Sequence, residues 1–244
     1  MMSWKVNVLH TGNMSLYRDF MTYGRGKKGE KVETPVWQAL ITNGEKILLF
    51  DTGFGDPDLP LNKVWDLRRT KEQEMEVQLN RLGYRPNDID FVIFSHLHVD
   101  HAGNSRMFKE KARFVVQEEE LRYAYAPEEL HATSYYRGDF DHELDWVTVR
   151  GDVDFMDGID LLHTPGHTPY HQSVVVNTQE GKVILCGDAC YQKANWQDLA
   201  FPGTTEDPVE AMRSIKRLKR IRNGIPLFSH DLEFLEKEMK RVYG

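Results

Sequence analysis

The stretch Ser95-His-Leu-His-Val-Asp-His-Ala-Gly-Asn104 follows directly on the apolar run Phe91-Val-Ile-Phe94. It places His96, His98, Asp100 and His101 within six residues. A chance HxHxDH in a chain with ten histidines has odds on the order of one in a thousand. Side chains alternate along extended chain, so His96 and His98 share a face on leaving the strand and both imidazoles can reach one metal ion. Asp100 and His101 then fall on a turn or helix start, where they can aim at a second ion close by. A lone His-x-His is usually structural or solvated. The added Asp-His makes metal binding the stronger reading.

Two divalent ions need more donors than four, and the chain supplies them further on: His167 in Thr164-Pro-Gly-His-Thr168, Asp188 in Cys186-Gly-Asp188, and His230 in Phe228-Ser-His-Asp231. Each closely follows an apolar, strand-like run. Of the other histidines, His163 and His171 flank His167 and read as support for the site or the strand behind it. His10, His131 and His142 have no ligand-spaced partner. Cys190 lies two residues from Asp188 and a thiolate would suit zinc. The histidine and carboxylate set is complete without it, so Cys190 reads as core packing.

Outward from this segment, strands are expected at Lys5–Leu9, Val36–Thr42 and, after an Asn43-Gly44 turn signal, Lys46–Phe50. Thr70 and Gln73 form a capping-box pattern ahead of a helix with Met75, Leu79 and Leu82 on one face and Gly83 as its stop. Strands at Phe91–Phe94 and Arg113–Val116 and a helix at Glu119–Tyr125 follow, then strands around Val147, Leu161, Val174 and Ile184. Two helices begin at Asp207, with Pro208 in the first turn, and after Asp231, separated by a strand at Pro226–Phe228. The pattern is α/β: two sheets with helices outside. Asp56–Arg69 and Pro127–Asp141 read as loop-like insertions, and residues 1–244 as a single domain.

The chain has 244 residues, 40% of them hydrophobic, with 31 Lys plus Arg against 38 Asp plus Glu. That is enough apolar material for a sizeable core. The formal charge of −7 argues against a protein that works on nucleic acid, whose affinity comes from clustered cations. The basic segment Lys216, Arg217, Lys219, Arg220 and Arg222 lies on an expected amphipathic helix and reads as a solvated face. No run approaches the roughly 20 apolar residues of a membrane span, and Met1–Val8 lacks a signal-peptide pattern. Two cysteines four apart make no disulfide framework. A soluble protein in a reducing cytoplasm, without membrane or nucleic-acid partners, is expected.

With HxHxDH, GHT, a single Asp and a late His, these residues resemble the metallo-β-lactamase superfamily. The resemblance implies an αββα sandwich of two mixed β-sheets with helices on the outer faces. It also implies two zinc ions, one held by His96, His98 and His167 and the other by Asp100, His101 and His230, with Asp188 shared. Other divalent metals would fit the same donors. Asp51, in Asp51-Thr-Gly53, resembles an early aspartate that supports the ligands, and His171 is a further supporting candidate. Within the superfamily the chain is most similar to the N-acyl homoserine lactonases. The likeness runs through Ser95–Gly103, His163–Ser173, Asp188–Tyr191, Asp207-Pro and Ser214–Lys219, with Val36–Gly53 extending it toward the N-terminus. Val99 stands where some of those relatives have Phe.

The resemblance implies a small-molecule lactone as substrate. Hydroxide shared between the ions would attack the ring carbonyl, Tyr191 would polarise the carbonyl oxygen, and Asp100 would shuttle a proton to the leaving alkoxide. Apolar walls for an acyl chain are sought among Met21, Tyr23, Tyr136, Trp146, Trp196 and Phe201. Alternatives are a lactonase for another small ring and a thioester hydrolase of the glyoxalase II type. A non-catalytic metal-binding domain is disfavoured because all seven ligands are present. The assembly is expected to be a monomer or homodimer.

Overall fold

The computed structural model describes residues 3–25, 27–129, 131–239 and 241–244. Its strands are β1 (Lys5–Tyr17), β2 (Lys31–Thr42), β3 (Ile47–Phe50), β4 (Phe91–Ile93), β5 (Arg113–Gln117), β6 (Asp145–Val149), β7 (Val153–Met156), β8 (Ile159–His163), β9 (Gln172–Thr178), β10 (Gly181–Leu185), β11 (Gly224–Leu227) and β12 (Val242–Tyr243). The helices are α1 (Arg18–Met21), α2 (Pro60–Val64), α3 (Met75–Arg81), α4 (Val99–Ala102), α5 (Glu118–Tyr125), α6 (Lys193–Asp198), α7 (Pro208–Lys219) and α8 (Leu232–Glu238). One sheet has the order β12-β1-β2-β3-β4-β5-β6 and the other β11-β10-β9-β8-β7. Both are mixed: β3 through β6 pair in parallel in the first, and β10 with β11 in the second.

The central strands β2 to β5, β9 and β10 are largely buried on both faces, which is what a sheet covered on both sides requires. Trp37, Ala39 and Ile41 of β2 and Leu48 and Phe50 of β3 face the second sheet, meeting Leu161, Val174, Val176, Val183 and Leu185. The intervening Leu40 and Leu49 pack outward on Met75 and Leu79 of α3. Behind the second sheet, Val175 and Ile184 meet Ile215 and Leu218 of α7. Helix–sheet–sheet–helix layering follows, and the expected two-sheet α/β architecture is the one present.

Most expected elements lie where the patterning put them. β1 runs eight residues beyond Leu9, because a one-residue register shift between His10 and Gly12 lets it keep pairing with β2 as far as Tyr17↔Lys31. Thr70 caps a short 3₁₀ turn, Lys71–Gln73, and α3 starts only at Met75. Leu82 is half-exposed because it follows the last turn of that helix. β7, β12 and the one-turn helices carry too little periodicity to be read from sequence. In the Pro127–Asp141 segment Leu130 lies outside the described residues. No helix among the described residues is long and apolar enough to cross a membrane.

Candidate metal centre

The carboxyl ends of β3 and β4 in one sheet and β8, β10 and β11 in the other open onto the same edge, and each delivers a polar segment there. His96 and His98 follow β4, with Asp100 and His101 on α4. His167 follows β8, Asp188 follows β10 on the 3₁₀ turn Gly187–Ala189, and His230 follows β11. All seven side chains are buried.

Their ligand atoms fall into three groups, each within 4.8 Å of one another: His96, His98 and His167; Asp100, His101 and His230; and, between them, His96, His101 and Asp188. Asp188 faces both sides. Its Oδ2 lies 3.3 Å from His167 Nε2 and 3.9 Å from His96 Nε2, while Oδ1 lies 3.3 Å from His230 Nε2 and 3.4 Å from His101 Nε2. Nε2 of His96 and His101 and Oδ1 of Asp188 are buried without a hydrogen-bond partner among the described residues. Convergent buried donors left unsatisfied in this way fit divalent cations, which prefer imidazole nitrogen and carboxylate oxygen in such a setting.

The electrostatics favour the same occupant. Burial, then the neighbouring imidazoles of His101, His98 and His167, push His96 well below the ordinary imidazole pKa. Burial also lowers His98 well below it, and lowers His167 to about 4. These rings are neutral at pH 7, with lone pairs available. Burial opposes charge on Asp188, but His101, His230 and His167 outweigh it and hold the carboxyl well below its usual range. On the other side burial disfavours a charged His101, but Asp100, Asp188 and Asp51 outweigh that and raise it well above the usual value.

The residues around this cluster are hydrogen-bonded as specifically as the cluster is placed. Asp51, at φ +58°, accepts from Ser95 N–H at 2.7 Å and Ser95 Oγ at 2.9 Å and pairs with His101 Nδ1 at 2.8 Å. His230 Nδ1 donates to the Pro35 carbonyl at 2.9 Å, leaving Nε2 for the site. His171 Nε2 accepts the Asp188 N–H at 3.0 Å, so its proton sits on Nδ1, which meets Thr164 Oγ1 at 2.9 Å. Gly187, at φ +53°, passes so close that a Cβ would lie 2.6 Å from His171 Nε2. The His167 loop rests on α7 through Ser214 Oγ, which donates to the Pro165 carbonyl at 2.7 Å.

A cavity of about 240 Å³ adjoins these side chains. Tyr191 lines it, with its hydroxyl 2.6 Å from Thr204 Oγ1 and its ring 4.7 Å from that of His230. Burial and the nearby Asp188 carboxylate push the phenol well above its ordinary pKa, so it keeps its proton. The apolar wall consists of Met14, Leu16, Phe20, Trp65 and Val99.

None of the six expected wall residues lines this cavity. Met21 is buried behind it beside Met14 and Leu16, and Tyr23 stacks on Phe201 at 4.9 Å. Trp146 packs outside the first sheet against Phe94 and Phe114, Trp196 packs on Phe228, and Tyr136 is exposed. His131, read from sequence as unconnected, lines the cavity with its ring 5.6 Å from that of His98. Only the path of the Pro127–Asp141 segment brings it there, and no local spacing signals it. His163 ends β8 with its carbonyl accepting from Arg217, while His10 and His142 bond elsewhere, to Asn13 and Ser105. Cys190 is buried in the apolar cluster with Ile215 and Phe228.

The profile of the Metallo-beta-lactamase superfamily matches residues 32–225. The N-acyl homoserine lactonase AiiA of Bacillus thuringiensis subsp. kurstaki is 34% identical over 218 residues, which cover 84% of each chain. An N-acyl homoserine lactone hydrolase solved with the product N-hexanoyl-L-homoserine at its catalytic metal centre superposes with a TM-score of 0.86 at 31% identity, over 97% of both chains. A variant of B. thuringiensis AiiA with N-decanoyl-L-homoserine at its active site gives 0.86 at 32% identity over the same shares. With the profile spanning most of its length and the two-sheet fold shared end to end, the chain belongs to the metallo-β-lactamase superfamily, among relatives that are N-acyl homoserine lactonases.

Proposed function

We infer that this chain is a hydrolase that opens the ring of N-acyl homoserine lactones. In this reading one zinc ion is held by His96, His98 and His167, a second by Asp100, His101 and His230, and Asp188 is shared. The observation that carries it is the placement of Asp188, whose two oxygens each face one histidine group at 3.3 Å, beside a cavity lined by a protonated Tyr191. When bound, two such cations supply Lewis acidity and bring the pKa of water toward neutrality.

The protein's own residues do the rest. Tyr191 keeps its proton and donates a hydrogen bond through it to the lactone carbonyl oxygen as negative charge develops there. Asp100, which lines the cavity 3.6 Å from His230 Nε2, accepts a proton from the attacking water and returns it to the departing ring oxygen. Met14, Leu16, Phe20 and Trp65 take the acyl chain and exclude water from that side. Buried, unpaired Cys186 and Cys190 suit a reducing cytoplasm.

A pH-stat assay of the zinc-loaded protein tests the reading, using homoserine lactones of several acyl lengths beside a simple γ-lactone and a thioester. Homoserine lactones should turn over fastest, with about two metal ions per chain. Preference for the thioester would overturn the substrate, and full activity without metal would overturn the mechanism.

A further inference from the structure

Glu120, on α5, takes no part in the chemistry above and is not among the ligands, yet it is fully buried. Its Oε1 accepts from the Leu97 N–H at 3.1 Å and the Tyr135 hydroxyl at 2.8 Å, and its Oε2 accepts from Thr168 Oγ1 at 2.8 Å. Leu97 stands between His96 and His98, and Thr168 follows His167. Tyr135 lies edge-on against the His98 ring at 4.6 Å and forms a β-bridge with that residue. Each member of one ligand trio is therefore within one residue, or one ring contact, of a group that Glu120 holds. The two loops involved leave different sheets, β4 in one and β8 in the other. The second trio, Asp100, His101 and His230, has no such contact with Glu120 among the described residues; Asp51 and the Pro35 carbonyl orient it instead.

We propose that Glu120 is a positioning residue that clamps the loops of His96, His98 and His167 together and so sets the metal affinity of that trio alone. A buried carboxylate is costly unless its oxygens are bonded, and here three donors converge on it from three segments. Losing it would leave the Leu97 N–H and the Tyr135 hydroxyl without their acceptor and free the loops to separate. Residues that orient metal ligands typically contribute about 10–100-fold in metal affinity. The proposal rests on the two-ion reading above.

The test is zinc affinity, measured by competition with a chromophoric chelator, in two single-site backgrounds. His230→Ala weakens the second trio and leaves the clamped one; His167→Ala does the reverse. Glu120→Ala is expected to weaken binding about 10–100-fold in the first background and by less than about threefold in the second. Glu120→Gln should restore most of the affinity, because its carbonyl can serve Leu97 and Tyr135 while its amide donates to a turned Thr168 hydroxyl. Thr168→Val removes one bond at little change in volume, and should show the same selectivity at smaller magnitude even if Glu120→Ala does not fold. Equal losses in both backgrounds, or none in either, would overturn the clamp while leaving the two-ion reading intact. A wild-type chain that takes up no zinc would remove both.

Discussion

His101 Nδ1 lies 2.8 Å from Asp51 Oδ2, and the same carboxylate receives both the N–H and the hydroxyl of Ser95, the residue before His96. One buried carboxylate thus orients His101 and anchors the start of the His96–His101 segment. Asp51→Asn should keep a hydrogen bond to Ser95 but lose the charge that fixes the His101 tautomer. Zinc affinity at the Asp100, His101 and His230 group is expected to fall about 10–100-fold, read by chelator competition. Unchanged affinity would show that His101 is held well enough by packing alone.

Tyr191→Phe is expected to lower kcat by roughly 10 to 1000-fold, the range for losing one transition-state donor, with metal content unchanged. The hydroxyl also meets Thr204 at 2.6 Å, so Thr204→Val serves as control. If the phenol works on the substrate and not through Thr204, the control should cost much less. Full turnover of Tyr191→Phe on a homoserine lactone would remove Tyr191 from the reaction.

Leu16 lines the cavity, and a bulkier side chain there should shorten the acyl chain that fits. For Leu16→Trp, kcat/KM on a decanoyl substrate is expected to fall about tenfold or more while a butanoyl substrate changes little. Equal effects on both would place the acyl chain elsewhere.

Burial raises the pKa of Asp139 to about 7, against an ordinary 3.8, with Arg106 only partly offsetting it. A carboxyl whose folded pKa exceeds its unfolded one holds its proton longer in the folded state. Stability is therefore lost as pH rises from about 4 to about 7, and the loss persists above that. Asp139→Asn removes this dependence. Its stabilisation should be larger at pH 8 than at pH 5 by on the order of 2 kcal/mol, or roughly 4–8 °C in Tm for a chain of this size. A pH-independent difference between mutant and wild type would rule out the buried acid as its source.

Much of the centre was legible because it follows strand ends closely. His96 through His101, His167, Asp188 and His230 each come within a few residues of an apolar run, so covalent spacing alone places them at one sheet edge once the runs are recognised as strands. The cavity wall was not legible. The sequence pattern ends the first strand at Leu9, whereas the register shift between His10 and Gly12 carries β1 on to Tyr17. That single extra residue also reverses which side chains face which way. Val6 and Val8 meet the second sheet, while Met14 and Leu16 point to the opposite face, with Val36.

Residue type and spacings of a few residues were enough to bring the candidate ligands to one sheet edge and to make the sheets apolar on two sides, because backbone geometry converts such spacings directly into direction. Tertiary structure alone decided the rest. Trp65 and His131 reach the cavity from long segments whose local patterns contain no aim. Glu120 becomes a clamp only when two loops from different sheets arrive at its two oxygens. Such contacts are set by how the layers pack, and the packing free energy is spread over many weak contacts that no short stretch of sequence contains.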